Sequence, residues 1–485
     1  MSLTGVIGRN TILQFVGKVI GTILGFVTVI LLLRYLAPGA YGYYTTIIAY
    51  LGFFSVIADL GLYLTLIKEM SKPDARPDHA VGNIMGLRIA AAVILLGVGL
   101  LIALVLPYPA VVKQGMLIGT LSFFFIAMNQ LLVGVFQKHL KMFWMVTGEV
   151  LGRVVLLAGV WLVVNRDAGL LAIIGVVSLG SLVNFIVSFA SARKLEPIRL
   201  QFDWPYWWYV FKVTLPIAIS IVLNLLYFRL DTIFLSLMKP AADVGLYGAA
   251  YKVLEILITF PNMFVGLLLP ILTATAFVNR ERFIQIFQKA FDALSIGTIP
   301  LVVGGFLIAR PLVIFISRSE AYAPSAPIFQ VLVLAIGCLF LGSLSGHTIV
   351  AINAQRRMVW AYLGVAILGL VSYFILIPPL SYYGAAIGTV LTEASIMLAG
   401  YFLIFRRMKF NLRFKAFGKA VLASLPMAAT IWLLGSQHLF IQVSAGSIVY
   451  LGALYLLKGF DRQLVRELIS RHEPAATSTT DPTTQ

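Results

Sequence analysis

Eight Lys or Arg side chains fall inside long apolar stretches of this 485-residue chain: Lys18, Arg88, Arg153, Lys212, Arg229, Lys252, Lys289 and Lys419. Six carboxylates share that interior: Asp59, Glu149, Asp231, Glu255, Asp292 and Glu393. At membrane depth each such cation costs about 2.5–3.5 kcal/mol on insertion scales. All of them turned to lipid would cost on the order of 20–28 kcal/mol, more than a typical folding free energy of about 5–15 kcal/mol. They must therefore reach an interface, meet an acid, or face water. Lys212, Lys289 and Lys419 lie near the ends of their stretches and are expected to snorkel. Lys18, Arg88, Arg153, Arg229 and Lys252 lie deeper and are expected to line a wet internal cavity as ligand-binding cations. An excess of cations over acids suits an anionic ligand.

The acids admit two readings. Glu149 and Arg153 are four apart, and Lys252 and Glu255 three apart, so both pairs could be plain ion pairs along one helix. Equally, Asp59, Glu149, Asp231 and Glu255 could gate a cavity or carry a coupling proton. Asn10, Gln14, Lys18 and Thr22 recur every four residues and share one helix face. Beside them Gly17, Gly21 and Gly25 form a ridge of small residues that permits close helix packing. Ser220, Asn224, Tyr227 and Asp231 form a similar polar stripe later in the chain. Asn10, Gln14 and Asn224 therefore join the candidate cavity-lining set.

Catalytic signatures are missing from the sequence. There is no Gly-rich loop followed by Lys-Ser or Lys-Thr, no paired-His metal motif and no nucleophile elbow. The five His residues are scattered, and Cys338 is the one cysteine. No catalytic residue, metal or cofactor is expected. Work by such a protein would be driven by an ion gradient or by the ligand's own gradient.

The elements that position these groups follow from composition. The chain is 60% hydrophobic and 11% charged, with a mean hydropathy of +0.97, whereas soluble domains are roughly 25% charged. Fourteen stretches, from 11–36 to 439–457, are long enough for a membrane helix of about 20 residues. They include 43–66, 244–275 and 284–316. They do not alternate as barrel strands do, so they are helices. The first is too long for a removable leader and is expected to stay as a span. Pro216, Pro261, Pro270, Pro300 and Pro426 fall inside spans and predict kinks.

With the N-terminus placed in the cytoplasm, loops on that side collect 22 of the 36 Lys and Arg residues, the other side 6 and the spans 8. This bias predicts a multi-pass membrane protein with both termini cytoplasmic. It also explains the net charge of +17 without nucleic acid. The basic, then aromatic segment 193–209 reads as an interfacial connector. The chain also repeats weakly. Pro38, Gly42 and Tyr44 correspond to Pro240, Gly245 and Tyr247, and Lys141-Met142-Phe143-Trp144 to Arg357-Met358-Val359-Trp360. The expected organisation is all-α integral membrane, about fourteen transmembrane helices in two pseudo-symmetric six-helix lobes plus two C-terminal helices. The units are 1–192, the connector 193–209, the second lobe 210–405, a basic connector with two helices 406–458, and a cytoplasmic segment 459–485. That last segment opens on an amphipathic face, Leu464, Val465, Leu468 and Ile469, and ends in a disordered tail.

The run Leu32-Leu33-Arg34-Tyr35-Leu36-Ala37-Pro38-Gly39-Ala40-Tyr41-Gly42, then Asp59-Leu60-Gly61-Leu62, resembles the opening of Wzx-type lipid-linked oligosaccharide flippases. Gly384-Ala385-Ala386-Ile387-Gly388-Thr389 is also similar to that polysaccharide-exporter family of the multidrug/oligosaccharidyl-lipid/polysaccharide (MOP) superfamily. The likeness spans nearly the whole chain, excluding the tail. It implies a two-lobed alternating-access fold with a central cationic cavity. It implies a monomer of the cell inner membrane that moves an undecaprenyl-pyrophosphate-linked oligosaccharide to the periplasmic leaflet for O-antigen, capsule or exopolysaccharide synthesis. Implied partners are that lipid-linked oligosaccharide, membrane lipid, a polysaccharide polymerase and a chain-length regulator. On this resemblance Lys18, Arg229 and Lys252 match the cavity cations, and Asp59 the recurring acidic position. The competing readings are a lipid II flippase, a cation-coupled drug antiporter of the same superfamily, and a non-transporting scaffold. The antiporter would want carboxylates in the first span, which carries only Lys18.

Overall fold

A backbone in hydrocarbon has no water to bond, so runs this apolar close their hydrogen bonds internally as helices. The computed structural model describes residues 3–59, 61–73, 76–435 and 437–459; side chains of 3–12, 216–217 and 219–228 are not among those described. Among the described residues every regular element is helical. The first half holds α1 (Leu3–Tyr35), α2 (Pro38–Asp59), α3 (Leu62–Met70), α4 (Pro77–Val105), α5 (Ala110–Lys138), α6 (Met142–Asn165) and α7 (Gly169–Ala192). The second holds α8 (Trp204–Met238), α9 (Ala241–Leu257), α10 (Thr259–Thr275), α11 (Arg280–Leu307), α12 (Ala309–Ser317), α13 (Ser325–Ala351), α14 (Gln355–Leu380) and α15 (Tyr382–Met408). Then come α16 (Lys415–Leu433) and α17 (Leu439–Leu456). Thirteen stretches of the described residues are long and apolar enough to cross a bilayer, with α2–α3 and α9–α10 each counted as one. The 35-residue α8 is not among these thirteen.

Three expected spans are interrupted. The second breaks at Gly61, whose φ of 71° is left-handed and ends the helical run. The eighth breaks at Ile258 because Pro261 has no N–H to offer the carbonyl of residue 257. The ninth splits at Ile308 into α11 and the short α12. Pro270, Pro300 and Pro426 lie inside continuous helices. The aromatic run from Trp204 to Tyr209 closes the segment read from sequence as an interfacial connector. It forms the first turns of α8, capped by Asp203, whose Oδ1 accepts from the Tyr206 N–H at 3.2 Å. Residues 460–485, with the amphipathic face and the tail, lie outside the described residues.

Helices α1–α7 pack chiefly on one another, as do α8–α15, while α16 and α17 lean on α11. This is the two-lobed arrangement with two added helices. We call the face where α1 begins the near face and the opposite one the far face. The lobes join at the far face through α2 against α9 and α8. The repeated glycines explain the closeness of this contact. A Cβ on Gly42 would stand 1.7 Å from the Ala241 carbonyl oxygen, and one on Gly245 would stand 1.9 Å from that of Pro38. The weak repeat therefore marks the place where backbone meets backbone. Around it Tyr322 donates to the Leu36 carbonyl at 2.8 Å, and Arg34 donates to the carbonyls of Phe315 and Ile316, each at 3.2 Å.

At the near face the connection is narrower. Thr65 of α3 bonds Thr214 of α8 at 2.9 Å, and Lys72 donates to Glu69 at 2.7 Å and to the Tyr209 hydroxyl at 3.0 Å. Those two bonds hold the Lys72 pKa above its ordinary value. The chain between α7 and α8 lies along α4: the Gln201 N–H donates to the Gly82 carbonyl at 3.3 Å, and the Asp203 N–H donates to Asn83 at 2.8 Å.

Candidate functional site

The deep cations separate into three environments. Arg88 is corrected first, because it does not line a cavity. Its side chain is 0% exposed, pairs with Asp59 at 2.7 Å, and donates to the carbonyls of Ala127 and Ala58 and to Gln130. All three guanidinium nitrogens are engaged, so the pair knits α2, α4 and α5 together. Asp59 is thereby committed to the same structural unit.

The second environment lies inside the first lobe. The glycine ridge of α1 packs on α6, where Gly17 meets Val146 and Gly21 and Gly25 meet the Arg153 side chain. A Cβ on Gly25 would stand 2.7 Å from Arg153 Nη1, so the missing side chains make room for the guanidinium. Arg153 pairs with Glu149 one turn back at 3.1 Å, with Nε also donating to the same oxygen at 3.3 Å. Beside this pair a cavity of about 510 Å³ opens, lined by Lys18, Asn129, Gln130, Glu149, Arg153, Ser181 and Asn184 among others. Lys18 is exposed, and no described carboxylate pairs with it. Two cations and one acid leave a formal surplus of one positive charge here.

The third environment lies between the lobes, beneath the glycine contact. Glu255 of α9 receives Arg229 of α8 at 2.8 Å and Lys252 at 2.6 Å. Tyr41, Tyr44, Thr45 and Ile48 of α2 form the opposite wall, with Tyr251 on the α9 side. Arg229 and Lys252 are 33% and 38% exposed, unlike the sealed Arg88, and the space this cluster lines is about 40 Å³. This cluster also carries a surplus of one positive charge. The Lys252–Glu255 pair is therefore neither a closed helical pair nor a free acid, since Arg229 from a second helix shares it.

Asp231, 1% exposed, does not line the apex but lies close enough for its charge to act on Arg229 and Tyr251. It accepts from the Tyr247 hydroxyl at 2.6 Å, the Thr389 hydroxyl at 3.3 Å and the Thr232 N–H at 2.5 Å. Glu393 is likewise buried, at 3% exposure, on α15. Gln14 is half-buried on α1 and lines neither cavity. Asn10, Ser220, Asn224 and Tyr227 have side chains outside those described. Of the cations expected to snorkel, Lys212 sits over the Trp208 ring at 5.1 Å and Lys419 donates to the Lys458 carbonyl at 2.7 Å. His347 bonds the Ser343 carbonyl of its own helix at 2.9 Å. Among the described residues no group of three His, Cys, Asp or Glu is placed to hold a metal ion.

Next to the apex runs an apolar groove of about 680 Å³ between α1, α9, α11, α13, α16 and α17. Phe26, Val253, Ile256, Leu301, Met427 and Leu451 are among its walls. Sequence reasoning missed this groove, because its lining is ordinary span residues until α16 and α17 close one side. It also missed Tyr41, Tyr44 and Asn129. The Asn129-Gln130 pair within an apolar run was the available signal for the last of these.

A family model described as Polysaccharide biosynthesis protein matches residues 7–276. No curated protein gives a significant match. Among solved structures the chain is similar to the lipid II flippase MurJ in an inward closed conformation, with a TM-score of 0.77, 17% identity, and coverage of 94% of this chain and 100% of that one. It is similar to an inward-facing multidrug resistance MATE family transporter of the MOP superfamily, with a TM-score of 0.65, 13% identity and coverage of 80% and 94%. It is also similar to a MOP superfamily transporter from Pyrococcus furiosus, with a TM-score of 0.58, 14% identity and coverage of 83% and 95%. Identities this low carry the fold alone.

Proposed function

The chain belongs to the polysaccharide biosynthesis protein family, and from that premise we propose that it flips an undecaprenyl-pyrophosphate-linked oligosaccharide by alternating access. The observation that carries this reading is the two-sided character of α9. Lys252 and Glu255 face the polar apex, while Val253, Ile256 and Leu257 line the apolar groove. A ligand that engages both has an anionic head beside a long hydrocarbon tail, and the apex, about 40 Å³ in this state, widens during alternating access to admit the head. A pyrophosphate diester carries two negative charges, and Arg229 and Lys252 against Glu255 offer it a formal surplus of one positive charge. Prenyl methylenes laid in the groove gain roughly 0.8 kcal/mol apiece only where they leave water. In lipid the groove therefore supplies shape, and the charges supply most of the selectivity.

A cation-coupled drug antiporter fits less well. Both carboxylates that line the cavities, Glu149 and Glu255, already hold Arg or Lys partners. The buried Asp231 and Glu393 remain as carriers of a coupling cation or proton. The loop charge bias supports a cytoplasmic near face, and in this reading transport runs from the cytoplasmic to the periplasmic leaflet of the inner membrane. A lipid II flippase shares this chemistry of head and tail, and the family premise favours the polysaccharide precursor.

The test is export in cells whose gene is replaced by Arg229→Gln or Lys18→Gln. Each variant is expected to lower polymer export at least tenfold and to accumulate lipid-linked oligosaccharide on the inner leaflet, with protein level unchanged. Normal export in both single variants and in the double overturns the reading.

A further inference from the structure

The cavity inside the first lobe is more than a second cationic pocket. Its walls carry three amides, Asn129 and Gln130 on α5 and Asn184 on α7, with the hydroxyls of Ser181 and Ser188. At membrane depth amides and hydroxyls normally bond a neighbouring helix. Close by, the chain does this: Ser178 donates to the Ile118 carbonyl at 3.0 Å, and Ser122 bonds Ser181 at 2.8 Å. The amides are arranged otherwise. Gln130 accepts from Arg88 through Oε1 at 2.9 Å, which leaves its NH₂ group for the cavity. The Asn184 carbonyl accepts from Ser188 at 3.4 Å, which again leaves an NH₂ group. Asn129 lines the cavity with no hydrogen bond to any described residue. On the acceptor side, both Arg153 bonds fall on Glu149 Oε1, and Oε2 remains open.

The wall thus offers several donors and a carboxylate acceptor within about 510 Å³, inside the about 300–1,000 Å³ range of small-ligand sites. A phosphate needs donors only and would meet Glu149 as a like charge. A hydrocarbon chain would strand the amides unbonded. A polyhydroxylated ring fits both sets, because each hydroxyl donates and accepts. We propose that this cavity is a sugar-recognition subsite, in which Asn129, Gln130, Asn184 and Glu149 read the hydroxyls of the glycan while Arg229 and Lys252 meet the pyrophosphate once the interlobe apex widens. Arg88 is a positioning residue for it, since its bond to Gln130 fixes which end of that amide faces the ligand. The proposal rests on the lipid-linked glycan reading above and adds where the glycan is read.

The experiment is binding to the full chain in lipid nanodiscs with two probes. One is sugar-free undecaprenyl pyrophosphate. The other is the pooled lipid-linked oligosaccharide extracted from cells lacking this gene. Asn129→Leu and, separately, Gln130→Leu are expected to weaken the glycan-bearing probe at least tenfold, because a site built to bond hydroxyls discriminates steeply when its partners are lost. Sugar-free pyrophosphate is expected to bind both variants as it binds the wild type, which also reports that they fold. Both variants binding both probes like the wild type overturns the sugar subsite and leaves the flippase reading standing. Wild-type protein that binds neither probe overturns the flippase reading and this proposal with it.

Discussion

At the scale of single residues, the same side-chain type does different work according to its partners. Arg88 and Arg229 both lie deep in spans, yet one is sealed and the other keeps an open face. Arg88→Leu would leave Asp59 buried without its cation, a change that costs about 3–5 kcal/mol in known buried pairs. The expected outcome is a lowered melting temperature in detergent and reduced protein level, whereas Lys18→Gln leaves both unchanged and affects export alone. Equal melting temperatures for Arg88→Leu and the wild type would remove the structural role assigned here. The sequence made the deep cations visible because hydropathy exposes any charge within a span. It did not show that Asp59 meets Arg88, since the two lie on different helices and no spacing rule joins them. Asn129 and Asn184 were passed over for the same reason. An adjacent pair on one helix and a single amide on another show no periodicity, and their meaning appears only once α5, α6 and α7 enclose a common space.

At the scale of elements, lipid makes the spans legible and hides their interruptions. A bilayer forces helix on every long apolar run, so the number and order of crossings follow from composition. Hydropathy stays high across Gly61, Ile258 and Ile308, so a window average passes over those breaks. The α2–α9 contact yields a sharp expectation. Gly245→Leu places a branched side chain against the Pro38 carbonyl and must part the lobes there. Spin labels at the far-face ends of α2 and α9 are expected to show a longer, broader distance distribution in this variant, together with impaired transport. An unchanged distribution would show that the contact yields without moving the lobes. The groove between α11, α16 and α17 gives another expectation. Gly304→Phe, next to Met427 and Ile431, fills it and should depress transport of a full-length prenyl substrate at least tenfold while a short-chain prenyl analogue is less affected. Equal loss for both chain lengths would dissociate the groove from the tail.

At the scale of the whole molecule, the far face is closed by backbone contact, while the near face is held by a few side-chain bonds around α3 and the start of α8. The resting protein should therefore admit reagents from the near side. Cys338 is the one native cysteine, so a Cys338→Ala background isolates an introduced thiol. Lys18→Cys in that background is expected to react with a membrane-impermeant maleimide in inverted vesicles and to stay unreacted in right-side-out vesicles. The reverse pattern would invert the assigned orientation. The twin glycines bear on more than closure. Each half offers the other the same patch, Pro38 with Gly42 against Ala241 with Gly245, and receives it in return. That reciprocity is the signature of an isologous interface between identical subunits. The halves of this chain meet as the protomers of a two-fold dimer would, so an ancestor half this length could have assembled through this seam before its two copies were fused.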